Sequence, residues 1–324
     1  MTERYSRQSV LPQVGPEGQA RLARARVLVV GAGGLGCAVL PYLTAAGVGR
    51  LVLADPDLVE ETNLHRQPLF RMADIGRSKV SAARAALVAL NPEVEIEALQ
   101  MRVTPATAGA LAAQADVVLD AADSLAVTYI LSDACHSCGT PLVSASVLGL
   151  AGYVGVFCAR APSYRAVFPE MPPGAGSCAE AGVLGTAVGV IGTLQAHLTL
   201  ALLLRLVPDV AGRLVSVDFQ SLHFGGFSFA GASEPLGSAL SFIAPEQVAE
   251  SDCVIDLRTL QEAPVSPFAG ALRIEAEALA QAPREFPPGT RVVLCCRSGI
   301  RAWRAARTLQ AQGHNNVALV ALGG

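Results

Sequence analysis

The sequence predicts a doubly wound α/β fold with a mainly parallel sheet, followed by a small second α/β unit, and three observations carry that reading. From residue 27 to about 157, short runs rich in β-branched residues alternate with Ala-rich helical stretches, and the runs are continuously apolar rather than alternating. Strands of that kind are buried on both faces of a sheet and need helices as crossovers. The first run, "VLVV" (27–30), passes directly into a GxGxxG loop of Gly31, Gly33 and Gly36 that opens a helix. A second, shorter rhythm begins after "AGASEPLGSALS" (230–241), whose small turn-forming residues suit a linker. A chain of 324 residues has the length for two domains. We place the first at 1–230, the linker at 231–240 and the second at 241–324.

Taken in order, the first sheet continues with "RLVLA" (50–54), "EVEIEALQMRV" (93–103), "DVVLDA" (116–121), "PLVSAS" (141–146) and "YVGVF" (153–157). The second unit has strands in "CVIDLR" (253–258), "RVVLCC" (291–296) and "NVALVAL" (316–322), with the amphipathic helix "RAWRAARTLQAQG" (301–313) between the last two. The stretch Val183 to Leu206 is apolar enough to raise a membrane span, but Gln195, His197, Arg205 and several glycines interrupt it and favour a buried helix.

Composition narrows the partners. A hydrophobic fraction of 52% with 16% charged residues describes a globular chain. The net charge of -3 gives no general attraction to nucleic acid or anionic membrane, so neither is expected. The start "MTERYSRQ" is charged and no apolar segment follows it, which points to a cytoplasmic protein. Eight irregularly placed cysteines in such a chain read as thiols rather than as a disulfide framework.

The glycine loop cradles a phosphate without saying whose. Alone, with Asp55 about 20 positions on to hold a ribose, it fits NAD or FAD. The following residues point elsewhere. "ADPDLVEETNLHRQPLF" (54–70) and "DIGRSKVSAA" (74–83) bring Asp57, Asn63, Arg66, Gln67 and Lys79 behind that aspartate, and a triphosphate needs such cations. Mg²⁺ would need a carboxylate, which Asp120 or Asp123 of "VVLDAADS" can supply. Each has a plain alternative: Arg66 and Lys79 as surface charges, Asp123 as a helix cap.

The pieces "RYSRQ", "GAGGLG", "DPDLVEETNLHRQ", "DIGRSK", "DAADS" and "SCAEAGVLGTAVGVIGTLQA" (177–196), in this order, resemble the adenylyltransferases that activate ubiquitin-like sulfur carrier proteins, relatives of the ubiquitin-activating enzymes. The resemblance spans residue 4 to about 230 and implies ATP and Mg²⁺ chemistry, in which the carrier's C-terminal Gly-Gly carboxylate attacks the α-phosphate to give an acyl-adenylate. It implies that Asp55 holds the ribose, that Gly34 lies against the nucleotide, that Asn63, Arg66 and Lys79 bind phosphates and that Asp123 holds Mg²⁺. It also implies a homodimer in which Arg7 reaches the neighbouring subunit's site. Many relatives bind a structural zinc through two CxxC pairs. Here Ser163 and Ala166 stand at the first pair and "VDFQSLHFGGFSFAG" (217–231) leads to no second, so no zinc is expected. Ser124 and Thr128 replace the usual Asn and Arg after Asp123. The one CxxC, "CHSC" (135–138), reads as inert core thiols.

Two thiols remain. The resemblance makes Cys178, in "GAGSCAEAGVLG", the cysteine that joins the carrier; a thiolate near a helix start is stabilised. "CCRSGIRA" (295–302) resembles the active-site loop of rhodanese sulfurtransferases, with Cys296 leading Arg297, Ser298, Gly299, Ile300 and Arg301. Converging amides and two arginines would hold a negative persulfide there. Cys295 is expected to pack into the sheet. Together the halves imply thiocarboxylate formation, with sulfur from a cysteine-desulfurase-type donor. Competing readings are an NAD-dependent oxidoreductase, adenylation of another peptide or carrier, and a non-catalytic scaffold.

Overall fold

The computed structural model describes residues 3–172, 182–235, 240–281, 286–287 and 289–323. The first domain runs α1 (Ser6–Ser9), α2 (Gly15–Arg24), β1 (Arg26–Val30), α3 (Gly34–Ala45), β2 (Arg50–Ala54), α4 (Lys79–Leu90), β3 (Glu95–Leu99), α5 (Pro105–Ala112) and β4 (Val117–Asp120). It continues with α6 (Leu125–Cys138), β5 (Leu142–Leu148), β6 (Ala151–Phe157), α7 (Tyr164–Val167), α8 (Gly185–Leu204), β7 (Arg213–Asp218) and β8 (His223–Ser228). The second has β9 (Ser241–Phe242), β10 (Cys253–Asp256), β11 (Leu272–Arg273), α9 (Ala276–Gln281), β12 (Val292–Cys296), α10 (Ile300–Ala311) and β13 (Val317–Ala321).

The first sheet has the order β3-β2-β1-β4-β5-β6-β7-β8. Its first five strands are parallel, as continuous apolar runs require. β1 shows why both faces are covered: Val27 and Val29 enter the core beneath α3, α4 and α8, while Leu28 and Val30 enter the one beneath α5 and α6. The chain turns left from β1 to β2 but right to β4, which opens a crevice at the carboxyl ends of β1 and β4. The run "YVGVF" departs from expectation. It lies in β6, antiparallel to β5, and β7 and β8 extend it as a meander. Only Gly149 and Leu150 separate β5 from β6, too few residues for a crossover, and Gly149 takes the left-handed φ of +59° that such a tight turn needs.

Helix α8 meets the length and hydropathy of a membrane span, yet half of it is buried within the fold. Gly192 sits so close to α3 that a Cβ would stand 2.6 Å from that of Ala38. The side-chain amide of Gln195, fully buried, donates to the carbonyls of Asp120 (2.7 Å) and Val143 (2.9 Å). These bonds fix the helix over the ends of β4 and β5.

The second sheet, order β11-β10-β12-β13-β9, is parallel throughout. Helix α10 buries Ala302, Trp303, Ala305, Ala306 and Leu309 at helical spacing. Its apolar face shares one core with α5 and α6 of the first domain. Trp303 packs on Tyr129 with ring centroids 5.0 Å apart, and the Arg165 guanidinium lies 4.9 Å from the Tyr129 ring and 5.6 Å from that of Trp303. The Trp303 indole N–H donates to Glu170 (3.1 Å), which also pairs with Arg307.

Candidate active site

The glycines of the phosphate loop do different work. Gly31, at φ +101°, lies against the β4 turn, where a Cβ would come 2.5 Å from the Ala121 carbonyl oxygen. A Cβ on Gly36 would stand 2.2 Å from the Gly31 carbonyl oxygen, and one on Gly34 would strike Val188 of α8 at 2.7 Å. These three make the fold possible. Gly33 differs: the only atom near its missing Cβ is the Gln67 amide nitrogen at 3.8 Å. The space is open in front of the α3 amino terminus, whose N–H groups attract phosphate.

Around this opening stand the predicted polar residues. Asp55, 6% exposed, accepts the N–H groups of Ala32 (2.7 Å) and Asp57 (2.8 Å), which ties β2 to the glycine loop. Burial raises its carboxyl above the ordinary value, against the pull of Lys79. Lys79 heads α4 with its ammonium 2.9 Å from Asp57, itself largely exposed. Gln67 is buried with its Oε1 unpartnered, and the Ser78 hydroxyl beside Lys79 also lacks a partner. Orphaned buried acceptors of this kind call for a ligand. Asn63 is buried, and Arg66 donates to the Thr62 carbonyl (3.2 Å) while facing Gly34. The residues present fit a nucleotide triphosphate.

The two candidate metal carboxylates separate. Asp120 is buried, accepts the Ser144 hydroxyl (2.8 Å), and is pushed up to about 6 by burial, partly offset by hydrogen bonds from Thr128 and Ser144. Its carboxylate is thus engaged inside the protein by Ser144. Asp123 is exposed and has no ion pair among the described residues. Among the described residues, no cluster of three or more His, Cys, Asp or Glu side chains is placed to hold a metal. Arg7 is exposed on α1, and Cys178 lies outside the described residues.

At the end of β12 the strand alternation separates the paired cysteines. Cys295 faces the small core of Val254, Val293 and Val320, and burial pushes its thiol up to about 12. Cys296 faces the other way, with its Sγ accepting the N–H groups of Gly299 (3.2 Å) and Ala302 (3.4 Å). Gly299 makes that return at φ +83°. The loop therefore presents converging donors to sulfur. The two arginines do not both turn to it. Arg301 pairs with Glu262 (2.7 Å), holding that carboxyl down at about 2, and donates to the Leu257 carbonyl (3.2 Å). It braces the loop from outside, whereas Arg297 and Ser298 are exposed. Asp256 is fully buried between Arg258 and Arg273.

The ThiF family profile matches residues 5–235 and the rhodanese-like domain matches 244–324. The chain belongs to the ThiF family. The adenylyltransferase and sulfurtransferase MOCS3 of Bos taurus is 50% identical over 218 residues, 66% of this chain and 48% of that protein. The sulfur carrier protein adenylyltransferase of Thermus thermophilus is 46% identical over 230 residues, 68% of this chain and 85% of that one. This ThiF-family chain thus spans about half the length of the MOCS3 relatives it matches. In fold it is similar to the E. coli MccB structure with ATP, at a TM-score of 0.61 and 20% identity over 74% of each chain.

Two ThiF-family departures acquire a structural account. Ser163 binds Glu234 twice, its N–H at 2.7 Å and its hydroxyl at 2.5 Å, joining the loop before α7 to the end of the first domain. Ser124 and Thr128 begin α6, and Ser124 lines the cleft toward the second domain. In "CHSC", Cys135 is buried but Cys138 is exposed at the helix end, so only the first is a core thiol. Motif reading missed Arg165, Glu170 and Trp303; the one tryptophan of the chain, on an otherwise Arg- and Ala-rich helix, was the signal available.

Proposed function

We propose that this protein adenylates the C-terminal Gly-Gly carboxylate of a ubiquitin-like sulfur carrier protein with ATP and then converts it to a thiocarboxylate with sulfur held on Cys296. The observation that carries the reading is the joining, in one chain, of an open phosphate cradle with an orphaned acceptor at Gln67 and a cysteine held by two backbone N–H groups. Asp55 would hold the ribose, Asn63, Arg66 and Lys79 the phosphates, and the Gln67 Oε1 would accept from a hydroxyl or amino group of the nucleotide. Mg²⁺ bound at Asp123 would supply charge neutralisation for two negative reactants. Lys79 has to exchange part of its bond to Asp57 for phosphate oxygen. Arg7 of a second copy completes the site in a homodimer.

A donor of the cysteine-desulfurase class charges Cys296 as a persulfide. Its terminal sulfur attacks the acyl carbon, the bond from carbon to phosphate oxygen breaks, and AMP leaves with that electron pair. The product is an acyl disulfide with Cys296. A thiolate, assigned to Cys178, then attacks the Cys296 sulfur, freeing the thiocarboxylate and leaving a Cys178–Cys296 disulfide that an external thiol must reduce.

Carrier-dependent exchange between ATP and pyrophosphate tests the first half. Exchange should appear only with a Gly-Gly carrier; protein that binds ATP but gives none with carriers from the thiamine and molybdopterin pathways would refute the reading.

A further inference from the structure

We propose that the sulfur passes within one chain, across the cleft between that chain's own two domains. This rests on the proposed function and adds which subunit supplies the sulfur. The first support is the linker. Ser163, the residue before α7, binds Glu234 at its start, and Arg165 of α7 donates to the Leu240 carbonyl (3.0 Å) at its end. Six residues lead from Glu234 to Leu240 and span at most about 20 Å. With both ends tied to the Ser163–Arg165 segment, and Trp303 packed on Tyr129, the second domain is kept beside its own first domain.

The second support is where the persulfide loop faces. Gly299 packs on the first turn of α6, where a Cβ would stand 3.1 Å from that of Ala126, three residues past Asp123. The loop of a chain therefore meets the nucleotide end of its own first domain. The third support is the cleft beside this contact, lined by Arg102, Thr104 and Ser124 from one domain and by Phe242, Arg297 and Gly323 from the other. The Arg102 guanidinium lies against Gly323, whose N–H donates to the Arg297 carbonyl (2.8 Å). Neither arginine has an ion pair among the described residues. Two such cations between the adenylate and Cys296 would draw an anionic acyl phosphate toward the sulfur. The cleft is about 30 Å³, room for water but not for a peptide tail, and Cys296 is fully buried. The domains must part at this edge for transfer.

The test uses the full chain with ATP, Mg²⁺, a Gly-Gly carrier and thiosulfate as sulfur source, with thiocarboxylate read by mass spectrometry. Asp123→Asn and Cys296→Ala chains, each lacking one half of the chemistry, are co-expressed. Internal transfer predicts that the mixture forms less than about 5% of the wild-type product; transfer between randomly paired chains restores about a quarter, and that result overturns the proposal. A second measurement co-expresses wild type with the Asp123→Asn/Cys296→Ala double variant. Product should fall in proportion to the wild-type fraction, and a fall with its square overturns the inference. A wild-type chain that forms no thiocarboxylate would sink the proposed function, whereas the square law would sink the internal route alone. Arg102→Ala should slow thiocarboxylate formation about tenfold, with Arg102→Lys recovering most of it; an unchanged rate removes the cations from the argument.

Discussion

The phosphate loop and the persulfide loop are two solutions to one problem, holding an anion at the carboxyl end of a parallel strand. The first clears side chains away, so that Gly33 leaves open space before the α3 amino terminus, and surrounds the opening with the cations Lys79 and Arg66. The second keeps its atom indoors: Cys296 is fully buried and already bonded to Gly299 and Ala302. The difference suits the proposed division of labour, in which the first site takes up a diffusible ligand and the second holds sulfur covalently.

If the halves are chemically separate, Cys296→Ala should abolish sulfur transfer from thiosulfate to cyanide, a loss on the order of 10³ or more, and leave carrier-dependent pyrophosphate exchange within about twofold. Loss of both activities would break the division. Lys79→Met should do the reverse, lowering exchange about 10²-fold while cyanide-trapped sulfur transfer stays, because it removes a cation from developing phosphate charge. Within the phosphate loop itself, Gly31→Ala forces a Cβ onto the Ala121 carbonyl and should cost about 2–4 kcal/mol in a denaturant titration. Gly33→Ala should change stability by less than about 0.5 kcal/mol yet weaken ATP binding in calorimetry. Equal effects at the two glycines would contradict their separate roles.

The smallest effect concerns Asp120. Its carboxyl is raised to about 6 from an ordinary value of 3.8 by burial, so the folded state holds the proton more tightly than the unfolded one. Stability from this group is therefore full at low pH and is lost as pH rises through the window between those values. Asp120→Asn should flatten that slope, a change of at most about 3 kcal/mol, measured as midpoint shifts between pH 4 and 7. An unaltered slope would show that Asp120 titrates normally.

The parallel half of the fold was legible because doubly buried strands advertise themselves as unbroken apolar runs. β6 was misassigned to the parallel series for the same reason: "YVGVF" is apolar on both faces, and its direction is set by the Gly149–Leu150 turn rather than by its own composition. β8, with Phe224 and Phe227 exposed on an edge strand, gave no burial pattern to read. At the sites, motif spacing named Asp55, Lys79, Asp123 and Cys296, all chemistry-bearing positions in local sequence order. It could not see that Asp120 is sealed behind Ser144, that Arg301 is engaged by Glu262, or that Arg102 comes within reach of Gly323. Those depend on pairs between 24 and more than 200 positions apart, which no local pattern encodes.

The single tryptophan of the chain has a use beyond holding the domains together. Its indole is shut in against Tyr129, Arg165 and Glu170, across the boundary between the two domains. Its fluorescence is thus an intrinsic, label-free gauge of domain separation. A red shift on adding ATP and carrier would report the moment at which the stored sulfur becomes accessible.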